Sequence, residues 1–325
     1  MKTLITGVAG FIGSHLSEKL LSLGHEVVGI DNFDNFYTRE IKERNLQASL
    51  LNSNFTFYEL DISKSANLEI LESNQFELIV HIAAKAGVRP SIENPELYIE
   101  NNMVGTLNML ELMRKINCKK MVFASSSSVY GNNIKTPFDE EDNTDHQISP
   151  YAVSKKSCEL LNYSYHKLYD FDIVNLRFFT VYGPRQRPDL AIHKFVKKMS
   201  NEEPIEVFGD GNSARDYTFI SDTISGIVGA INYLKTHDKI YEIINLGNNT
   251  PITLKSLIDK IEASLNCKAN LLHKPMQEGD VDITYACIEK AGKLLNYSPK
   301  TSLEEGLREF INWYRTENIN QVHRS

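Results

Sequence analysis

Residues 2–31, KTLITGVAGFIGSHLSEKLLSLGHEVVGID, predict how the amino-terminal half of this chain folds. A strand-like run over 2–6 leads into three glycines spaced G-x-x-G-x-x-G from Gly7 to Gly13, and a helical pattern begins at once. In such a unit the backbone approaches a pyrophosphate, and the helix N–H groups point at its negative charge. A second strand ends at Asp31, 18 residues after Gly13, where an acidic residue binds the hydroxyls of an adenosine ribose. A tight turn would be enough to explain the glycines by themselves. The strand, the helix and the acidic residue together indicate a dinucleotide-binding site.

Short apolar runs keep alternating with helical patterns up to about residue 180. Most of these runs are rich in Val, Ile, Leu and Phe, as expected of strands that are buried on both faces of a parallel sheet. We therefore predict an α/β fold with a doubly wound parallel-sheet Rossmann domain. The predicted strands are Lys2–Thr6, Glu26–Asp31, Thr56–Asp61, Leu78–Ala83, Lys120–Ser125 and Ile173–Phe178.

Glycine and proline interrupt the chain more often after about residue 182, and short elements follow without regular alternation. This change predicts a smaller mixed α/β substrate-binding domain over residues 181–325, after a cofactor-binding domain over 1–180. A strand-like run at Ile243–Leu246 predicts that the chain returns to the large sheet around 217–247, so that the domain boundary is interwoven.

The composition argues against several classes of function. The 325 residues are 42% hydrophobic and 24% charged, which is the normal range for a soluble globular protein. A net charge of -7 argues against nucleic acid as a partner, because a phosphate backbone requires a basic surface. No apolar run reaches the roughly 20 residues of a membrane span, and the four cysteines lack the spacing of metal ligands. We expect a cytoplasmic protein with reduced thiols, no metal site and no membrane partner.

Asp31 also bears on the choice of dinucleotide. Its carboxylate would repel a phosphate on the adenosine ribose, and Asn32 and Phe33 follow it with no arginine before Arg39. These residues favour NAD over NADP. Asp61, at the end of the third predicted strand, is placed to meet the adenine edge, with a helix cap as the alternative.

Three polar segments follow predicted strands or open a helix: Ser125–Gly131, Tyr151–Lys155 and Arg177–Thr180. Tyr151 and Lys155 are four residues apart and therefore lie on one face of a helix. A neighbouring ammonium stabilises a phenolate, so we expect Lys155 to lower the pKa of Tyr151 from about 10 towards neutrality. With that pKa, Tyr151 would act as a general base. Such a Tyr-x-x-x-Lys pair also arises by chance, but its place after a serine-rich strand end favours the catalytic interpretation.

The order of these motifs resembles the extended short-chain dehydrogenase/reductase family, and in particular its nucleotide-sugar epimerases and dehydratases. The resemblance covers nearly the whole chain. The motifs that carry it are GVAGFIG (7–13), Asp31, HIAAKAGV (81–88), SSSSVYG (125–131), YAVSK (151–155), RFFTVYGPRQRPD (177–189), GDGNSARDYTFISD (209–222) and NLGN (245–248).

The resemblance implies a mechanism and a set of contacts. Tyr151 takes the proton of the hydroxyl on carbon 4 of the sugar while bound NAD accepts the hydride, and Lys155 holds the nicotinamide ribose. The ketone then turns over and the hydride returns to its opposite face, so that NAD is restored in each cycle. One of Ser126, Ser127 and Ser128 orients the reacting hydroxyl. The implied NAD contacts are Gly7, Gly10, Phe11, Ile12, Gly13, Asp31, Asn32, Asp61, Ile62, Ala83, Ala84, Lys85, Asn102, Tyr151, Lys155 and Phe178.

Two positions bear on the reaction and on the sugar. Related dehydratases and decarboxylases carry an acidic residue just before Val-Tyr-Gly, where this chain has Ser128, so the resemblance implies epimerisation. Thr180 replaces the asparagine that is common in glucose/galactose epimerases, and the run 177–189 looks like that of the UDP-glucuronate 4-epimerases. There Thr180, the serines and Arg187 would surround a sugar carboxylate, which an arginine binds with two parallel hydrogen bonds. A surface or diphosphate-binding role is the alternative for Arg187.

The resemblance also implies contacts along the rest of a UDP-sugar. Arg215 resembles the diphosphate-binding arginine of the family, with a solvated turn arginine as the alternative. Cys287 stands where related sequences often have Asp, which leaves the uridine end less defined. The implied substrate contacts are Val88, Arg89, Ser126, Ser127, Ser128, Thr180, Arg187, Asp189, Ala191, Val207, Phe208, Arg215 and Asp280.

Other interpretations stay open. A 4-epimerase for UDP-glucose or UDP-N-acetylglucosamine would differ in that Arg187 meets a phosphate instead of a carboxylate. The missing acidic residue disfavours a decarboxylase or dehydratase, and the presence of both Tyr151 and Lys155 disfavours a non-catalytic nucleotide-sensing protein. The resemblance further implies a homodimer through helices near 101–116 and 151–169, whose apolar faces are equally expected in the core of a monomer.

Overall fold

The computed structural model describes residues 1–275 and 281–322. The strands are β1 (Lys2–Thr6), β2 (Glu26–Asp31), β3 (Phe55–Glu59), β4 (Leu78–His81), β5 (Lys120–Ser126), β6 (Asp172–Phe178), β7 (Thr180–Tyr182), β8 (Ile205–Phe208), β9 (Ala214–Phe219), β10 (Tyr241–Leu246), β11 (Pro251–Thr253) and β12 (Leu271–Lys274).

The α-helices are α1 (Phe11–Ser22), α2 (Arg39–Leu50), α3 (Val88–Glu93), α4 (Pro95–Tyr98), α5 (Gly105–Lys115), α6 (Pro150–Tyr169), α7 (Ala191–Ser200), α8 (Ile220–Thr236), α9 (Leu254–Leu265), α10 (Glu289–Leu295) and α11 (Leu303–Val322). Short 3-10 turns lie at Ser65–Leu71 and Ser127–Tyr130, and a π-helical segment at Ile99–Val104 leads into α5.

Within the described residues, seven parallel strands form the central sheet in the order β10-β6-β5-β4-β1-β2-β3. Neighbouring residues of a strand face opposite sides of this sheet. Leu4 packs into a cluster with Met109 of α5, whereas Ile5 packs into a cluster with Leu16 of α1. Helices therefore cover both faces of the sheet, and the predicted doubly wound α/β fold is confirmed.

The remaining strands form two small sheets. β7, β9 and β11 make one, and β8 pairs with β12 in the other. β10 does not join them but pairs with β6 in the large sheet, with Ile243 opposite Asn175. The division of the chain into two domains near residue 180 stays a prediction. Of the helices in residues 1–275 and 281–322, none is long and apolar enough to cross a membrane.

β3 ends at Glu59, and the predicted end at Asp61 is wrong. The neighbour of β3 in the sheet is β2, whose last residue, Asp31, stands opposite Glu59. Beyond that pair β2 offers one more backbone acceptor, the carbonyl oxygen of Asp31, which accepts a hydrogen bond from the N–H of Leu60 at 3.0 Å. Asp61 instead turns the chain, because its Oδ1 accepts a hydrogen bond from the backbone N–H of Ser63 at 2.9 Å.

β4 ends at His81, and the predicted end at Ala83 is also wrong, because its neighbour β1 ends at Thr6 opposite His81. The Thr6 hydroxyl oxygen accepts hydrogen bonds from the N–H groups of Ile82 and Ala83, both at 3.0 Å. This side chain takes the place of a strand partner and fixes the loop that follows β4. β5 and β6 are each one residue longer than predicted.

Candidate active site

A cavity of about 400 Å³ lies along the carboxyl ends of the central strands, from the glycine turn after β1 to the chain beyond β7. This edge is where doubly wound sheets bind their ligands. Most of the predicted cofactor residues and all of the predicted catalytic residues meet in it. The predicted residues that line the cavity are Gly7, Gly10, Phe11, Ile12, Gly13, Asp31, Asn32, Ile62, Ala83, Ala84, Lys85, Ser126, Ser127, Ser128, Tyr151, Lys155, Phe178, Thr180 and Arg187.

The turn after β1 allows a ligand to approach the backbone closely. Gly7 has a φ of +71°, and a Cβ there would stand 2.9 Å from the backbone of Ala83. A Cβ on Gly13 would stand 2.1 Å from the carbonyl oxygen of Gly7. α1 begins directly after Gly10 with no side-chain cap and no acidic residue in its first turn, so its first N–H groups can receive an anion. This backbone cradle fits the pyrophosphate of a dinucleotide.

Gly13→Ala is expected to destabilise the protein by about 1–3 kcal/mol and to weaken dinucleotide binding, because the added methyl group overpacks the turn. Urea unfolding and a fluorescence titration with NAD measure the two effects. Gly292→Ala in α10 is the matched control, since its Cβ would meet nothing closer than 3.6 Å. If the two variants bind NAD equally well, the tight cradle described here is wrong.

Asp31 is buried at the end of β2, and its carboxylate is held by backbone donors. Oδ2 accepts a hydrogen bond from the N–H of Ala9 at 3.1 Å, and Oδ1 accepts one from the N–H of Phe33 at 2.9 Å. The Nζ of Lys42, on α2, lies 3.7 Å from Oδ1. Burial raises the pKa of Asp31, while the charge of Lys42 and the two backbone hydrogen bonds lower it. The structure thus places a fixed carboxylate where the sequence predicted the ribose-binding acid.

Part of the cavity wall is formed by residues that were not predicted from the sequence. Lys42 belongs to the buried face of α2, together with Asn45, Leu46 and Ser49. Their spacing of three, four and seven residues is the signal that would have placed this lysine inside. The loop between β2 and α2 carries no such periodic signal. That loop adds Asp34, Phe36 and Tyr37 to the wall.

Lys85 links two loops of the wall. Its Nζ donates a hydrogen bond to Oδ2 of Asp34 at 2.6 Å, which joins the loop after β4 to the loop after β2. Asn102 supports the backbone of Lys85, because its Oδ1 accepts from the Lys85 N–H at 2.8 Å and its Nδ2 donates to the Lys85 carbonyl oxygen at 3.0 Å. Asn102 is buried, so the structure gives it a role in holding this loop behind the wall.

α6 presents Tyr151 and Lys155 to the cavity. The helix begins at Pro150, whose nitrogen needs no partner there, and Ser149 Oγ accepts a hydrogen bond from a backbone N–H of the first turn at 3.2 Å. The Nζ of Lys155 donates to the carbonyl oxygen of Ala124 in β5 at 2.6 Å. The cap and this hydrogen bond set the position of the pair against the strand ends.

The protonation of this pair differs from the expectation. Burial raises the pKa of Tyr151, while a hydrogen bond with Ser126 and the charge of Arg187 lower it. Burial lowers the pKa of Lys155 to about 8. The expected fall of the Tyr151 pKa towards neutrality is therefore wrong for this structure. Loss of solvation outweighs the nearby charges, and the Lys155 ammonium is turned to the Ala124 carbonyl oxygen.

Four consecutive serines, Ser125 to Ser128, line the cavity together with Tyr151. Ser126 ends β5, and its Oγ accepts a hydrogen bond from the N–H of Ser128 at 3.1 Å. The same Oγ donates to the Oγ of Ser128 at 3.2 Å. Ser127 begins the 3-10 turn that follows. Because Ser126 is the serine that lowers the pKa of Tyr151, it is the one best placed to orient a hydroxyl that reacts there.

Arg187 holds a carboxylate in the fork of its guanidinium. Its Nε donates to Oδ1 of Asp189 at 3.0 Å, and its Nη2 donates to Oδ2 at 2.8 Å. Its guanidinium lies over the ring of Phe36, 4.9 Å from the centroid. Thr180, the first residue of β7, lines the same cavity. The fork is thus shaped for a planar anion, as predicted for a sugar carboxylate, and Asp189, a predicted substrate contact, occupies it here.

Other predicted contacts lie away from the cavity wall. Arg89 places its guanidinium over the ring of Phe208, 5.2 Å from the centroid. The Nη1 of Arg215 donates to the carbonyl oxygen of Ala214 at 2.9 Å. Asp280 lies outside the described residues. Among the described residues, the predicted ones that do not line the cavity are Asp61, Val88, Arg89, Asn102, Asp189, Ala191, Val207, Phe208 and Arg215.

A buried ion pair anchors α6 beneath the cavity. Arg177 of β6 donates from Nε and Nη2 to the two carboxylate oxygens of Glu159, both at 2.9 Å. Glu159 Oε1 also accepts a hydrogen bond from Ser125 of β5 at 2.6 Å. Both side chains of the pair are 1% exposed. The helix that carries Tyr151 and Lys155 is therefore tied to the two strands below it.

Comparison with known proteins relates this site to a family. The sequence profile of the GDP-mannose 4,6 dehydratase family matches residues 4–310. A UDP-glucuronate 4-epimerase of Thermodesulfobacterium geofontis (strain OPF15) is 44% identical over 321 residues, which cover 98% of this chain and 97% of the relative.

Solved structures match along the whole fold. The crystal structure of UDP-glucuronic acid 4-epimerase from Bacillus cereus, in complex with UDP-glucuronic acid and NAD, superposes with a TM-score of 0.91 at 38% identity, covering 98% of this chain and all of its own. UDP-glucose 4-epimerase of Thermotoga maritima, with UDP-glucose, gives a TM-score of 0.89 at 32% identity over the same shares. The chain therefore belongs to the GDP-mannose 4,6 dehydratase family, within the extended short-chain dehydrogenase/reductases.

Proposed function

We propose that this protein is an NAD-dependent enzyme that epimerises UDP-glucuronate at carbon 4, giving UDP-galacturonate. One observation carries the proposal: a single cavity brings together the glycine cradle, the Tyr151–Lys155 pair and the anion-holding fork of Arg187. Relatives named UDP-glucuronate 4-epimerase at 38% and 44% identity support it, as does the Bacillus cereus complex with UDP-glucuronic acid and NAD.

NAD is the cofactor. The N–H groups of the turn from Gly7 to Gly13 would hold its pyrophosphate, Asp31 its adenosine ribose and Lys155 its nicotinamide ribose. When bound there, NAD supplies a reversible hydride acceptor for carbon 4 of the sugar. The carboxylate of Asp31 would disfavour the additional phosphate of NADP.

Tyr151 moves the proton. As the phenolate it takes the proton of the 4-hydroxyl while the C–H bond at the same carbon breaks and a ketone forms. It returns the proton to the oxygen once the ketone has presented its other face. The hydroxyl of Ser126, which lowers the pKa of Tyr151, positions the reacting oxygen. Lys155, with a pKa of about 8, carries a positive charge below that pH, and its ammonium faces the Ala124 carbonyl oxygen. The groups that favour the phenolate in this structure are Ser126 and Arg187.

Arg187 and Thr180 hold the sugar carboxylate. The 4-keto form of a uronate is a β-keto acid, which loses carbon dioxide when the bond to its carboxylate aligns with the ketone π system. A two-point grip by the Arg187 fork keeps the carboxylate out of that alignment. Ser128 offers no acid for an elimination, so the site favours epimerisation over decarboxylation or dehydration.

Proton NMR of the products tests this proposal. The purified protein is incubated separately with UDP-glucuronate, UDP-glucose and UDP-N-acetylglucosamine, without added reductant. We expect UDP-glucuronate alone to be converted, to UDP-galacturonate. Conversion of a neutral sugar instead would establish the second candidate, a UDP-glucose-type 4-epimerase, which the match to the Thermotoga maritima enzyme favours. A UDP-pentose or a 4-keto product would show that the interpretation of Ser128 is wrong.

Arg187→Met is expected to lower kcat/KM for UDP-glucuronate by at least about thirty-fold, because losing one partner of a desolvated charge pair costs about 2–5 kcal/mol. Steady-state kinetics measure this. Arg185→Met is the matched control, since Arg185 pairs with Glu18 at 2.8 Å instead. Equal losses in the two variants would mean that Arg187 does not recognise the carboxylate.

We also propose that the protein is a cytoplasmic homodimer whose subunits meet along α5 and α6. Leu107 on α5 and Val153, Leu160 and Leu168 on α6 expose between 38% and 69% of their surface. The three residues of α6 are spaced seven and eight apart and therefore share one helix face. Apolar side chains left exposed along one helix face favour cover by a second copy of the chain.

A further inference from the structure

The loop between β2 and α2 reaches from the cofactor end of the cavity to its sugar end. It begins after Asp31, and Asp34 within it forms the ion pair with Lys85. Two residues later, the ring of Phe36 lies under the guanidinium of Arg187. Phe36 and Arg187 both line the cavity. One short loop thus connects the dinucleotide half of the site with the arginine of the sugar half.

Arg187 has two supports of different kinds. Asp189 accepts two hydrogen bonds, from the Nε and the Nη2 of the guanidinium. The Cζ of the guanidinium lies over the Phe36 ring, 4.9 Å from its centroid, where the negative face of the ring attracts a cation. The loop holds Phe36 in place, because its N–H donates to Oδ1 of Asp34 at 3.0 Å.

The two supports respond differently to an arriving anion. A sugar carboxylate needs N–H donors of the guanidinium, and Asp189 accepts hydrogen bonds from Nε and Nη2. The ring contact with Phe36 uses neither of these two hydrogen bonds, so it can persist when a carboxylate replaces Asp189. Phe36 therefore keeps Arg187 in place while its hydrogen-bond partner changes.

We propose that Phe36 is a positioning residue that sets the preference for an acidic sugar by holding Arg187 where it meets the carboxylate. This inference rests on the proposed function. It assigns part of the sugar specificity to the loop that follows the ribose-binding strand. Since Phe36 acts through Arg187, its loss should weaken binding of the uronate more than it slows the chemical step.

The test compares Phe36→Leu, which keeps an apolar side chain, with Phe36→Trp, which keeps an aromatic face. All assays use saturating NAD, verified by titration for each variant. We expect F36L to raise KM for UDP-glucuronate about three- to thirty-fold with kcat changed less than about twofold, and F36W to restore KM. The inhibition constant of UDP, which has no sugar carboxylate, should stay the same. A loss shared equally by F36L and F36W, or an unchanged KM in F36L, would overturn the inference.

A double-mutant cycle with Arg187→Met distinguishes an effect of Phe36 on Arg187 from an effect of Phe36 on the shape of the cavity. If Phe36 acts through Arg187, F36L has no further effect once Arg187 is replaced, whereas additive losses would overturn the inference. A wild-type protein that leaves UDP-glucuronate unconverted would refute the proposed function instead. Even then, the dissociation constant of UDP-glucuronate can be measured for the same four proteins. Additive effects of the two substitutions on that constant would still overturn the role of Phe36.

Discussion

Tyr151→Phe is expected to lower kcat by about 10²–10⁴-fold, because it removes the group that takes and returns the hydroxyl proton. The phenylalanine ring keeps the edge contact that Tyr151 makes with Tyr98, whose ring centroid lies 6.1 Å away. We therefore expect unchanged thermal stability and unchanged affinity for NAD. The rate of conversion of UDP-glucuronate, followed by proton NMR, measures the effect.

Tyr163→Phe is the control for that variant. Tyr163 lies on the same helix but is 46% exposed, so the loss of its hydroxyl should leave the rate as it is. A Tyr151→Phe variant that works at the wild-type rate would assign the proton transfer to another group.

Arg177→Met is expected to destabilise the protein by about 3–5 kcal/mol, because it leaves the carboxylate of Glu159 buried without its partner. Urea unfolding measures the change in the free energy of unfolding. Arg114→Met is the control, since Arg114 forms a half-exposed pair with Glu111 at 2.7 Å. Such surface pairs contribute only about 0–1 kcal/mol.

The double variant Arg177→Met with Glu159→Leu distinguishes two contributions to the free energy of unfolding. One is the cost of leaving a buried carboxylate without a partner, and the other is the stabilisation that the ion pair itself provides. We expect it to recover most of the lost stability, because apolar side chains of similar volume can replace a buried ion pair. If Arg177→Met unfolds at the same urea concentration as Arg114→Met, the buried pair does not anchor α6.

The central sheet could be predicted from the sequence because its strands are buried on both faces. Leu4 and Ile5 of β1 face opposite cores, and both are fully buried, so the strand appears as an unbroken apolar run. The strand ends could not be predicted in this way. β3 ends at Glu59 because the neighbouring strand ends at Asp31, and that pairing is a property of the sheet and not of either segment.

The catalytic pair could be predicted because it depends on local geometry. Tyr151 and Lys155 share one helix face wherever that helix lies. Their protonation depends on distant residues, since burial and the contributions of Ser126 and Arg187 set the pKa of Tyr151. The sequence therefore predicted which groups meet but predicted the pKa of Tyr151 in the wrong direction.

The loop after β2 was the least predictable part of the site. Asp34 and Phe36 enter the cavity through contacts with Lys85 and Arg187, which lie far from them in the sequence. No periodic pattern marks such residues, because a loop follows neither the helical nor the strand repeat. Their contribution became visible only with the tertiary contacts.

The hydrogen on carbon 4 gives the most direct test of the proposed chemistry. UDP-glucuronate deuterated at carbon 4 is incubated with the NAD-loaded protein in ordinary water, and the label in the product is located by NMR and mass spectrometry. We predict UDP-galacturonate that keeps its deuterium on carbon 4, because Tyr151 exchanges only the hydroxyl proton. Loss of the deuterium to water, or inversion at another carbon, would contradict transient oxidation at carbon 4.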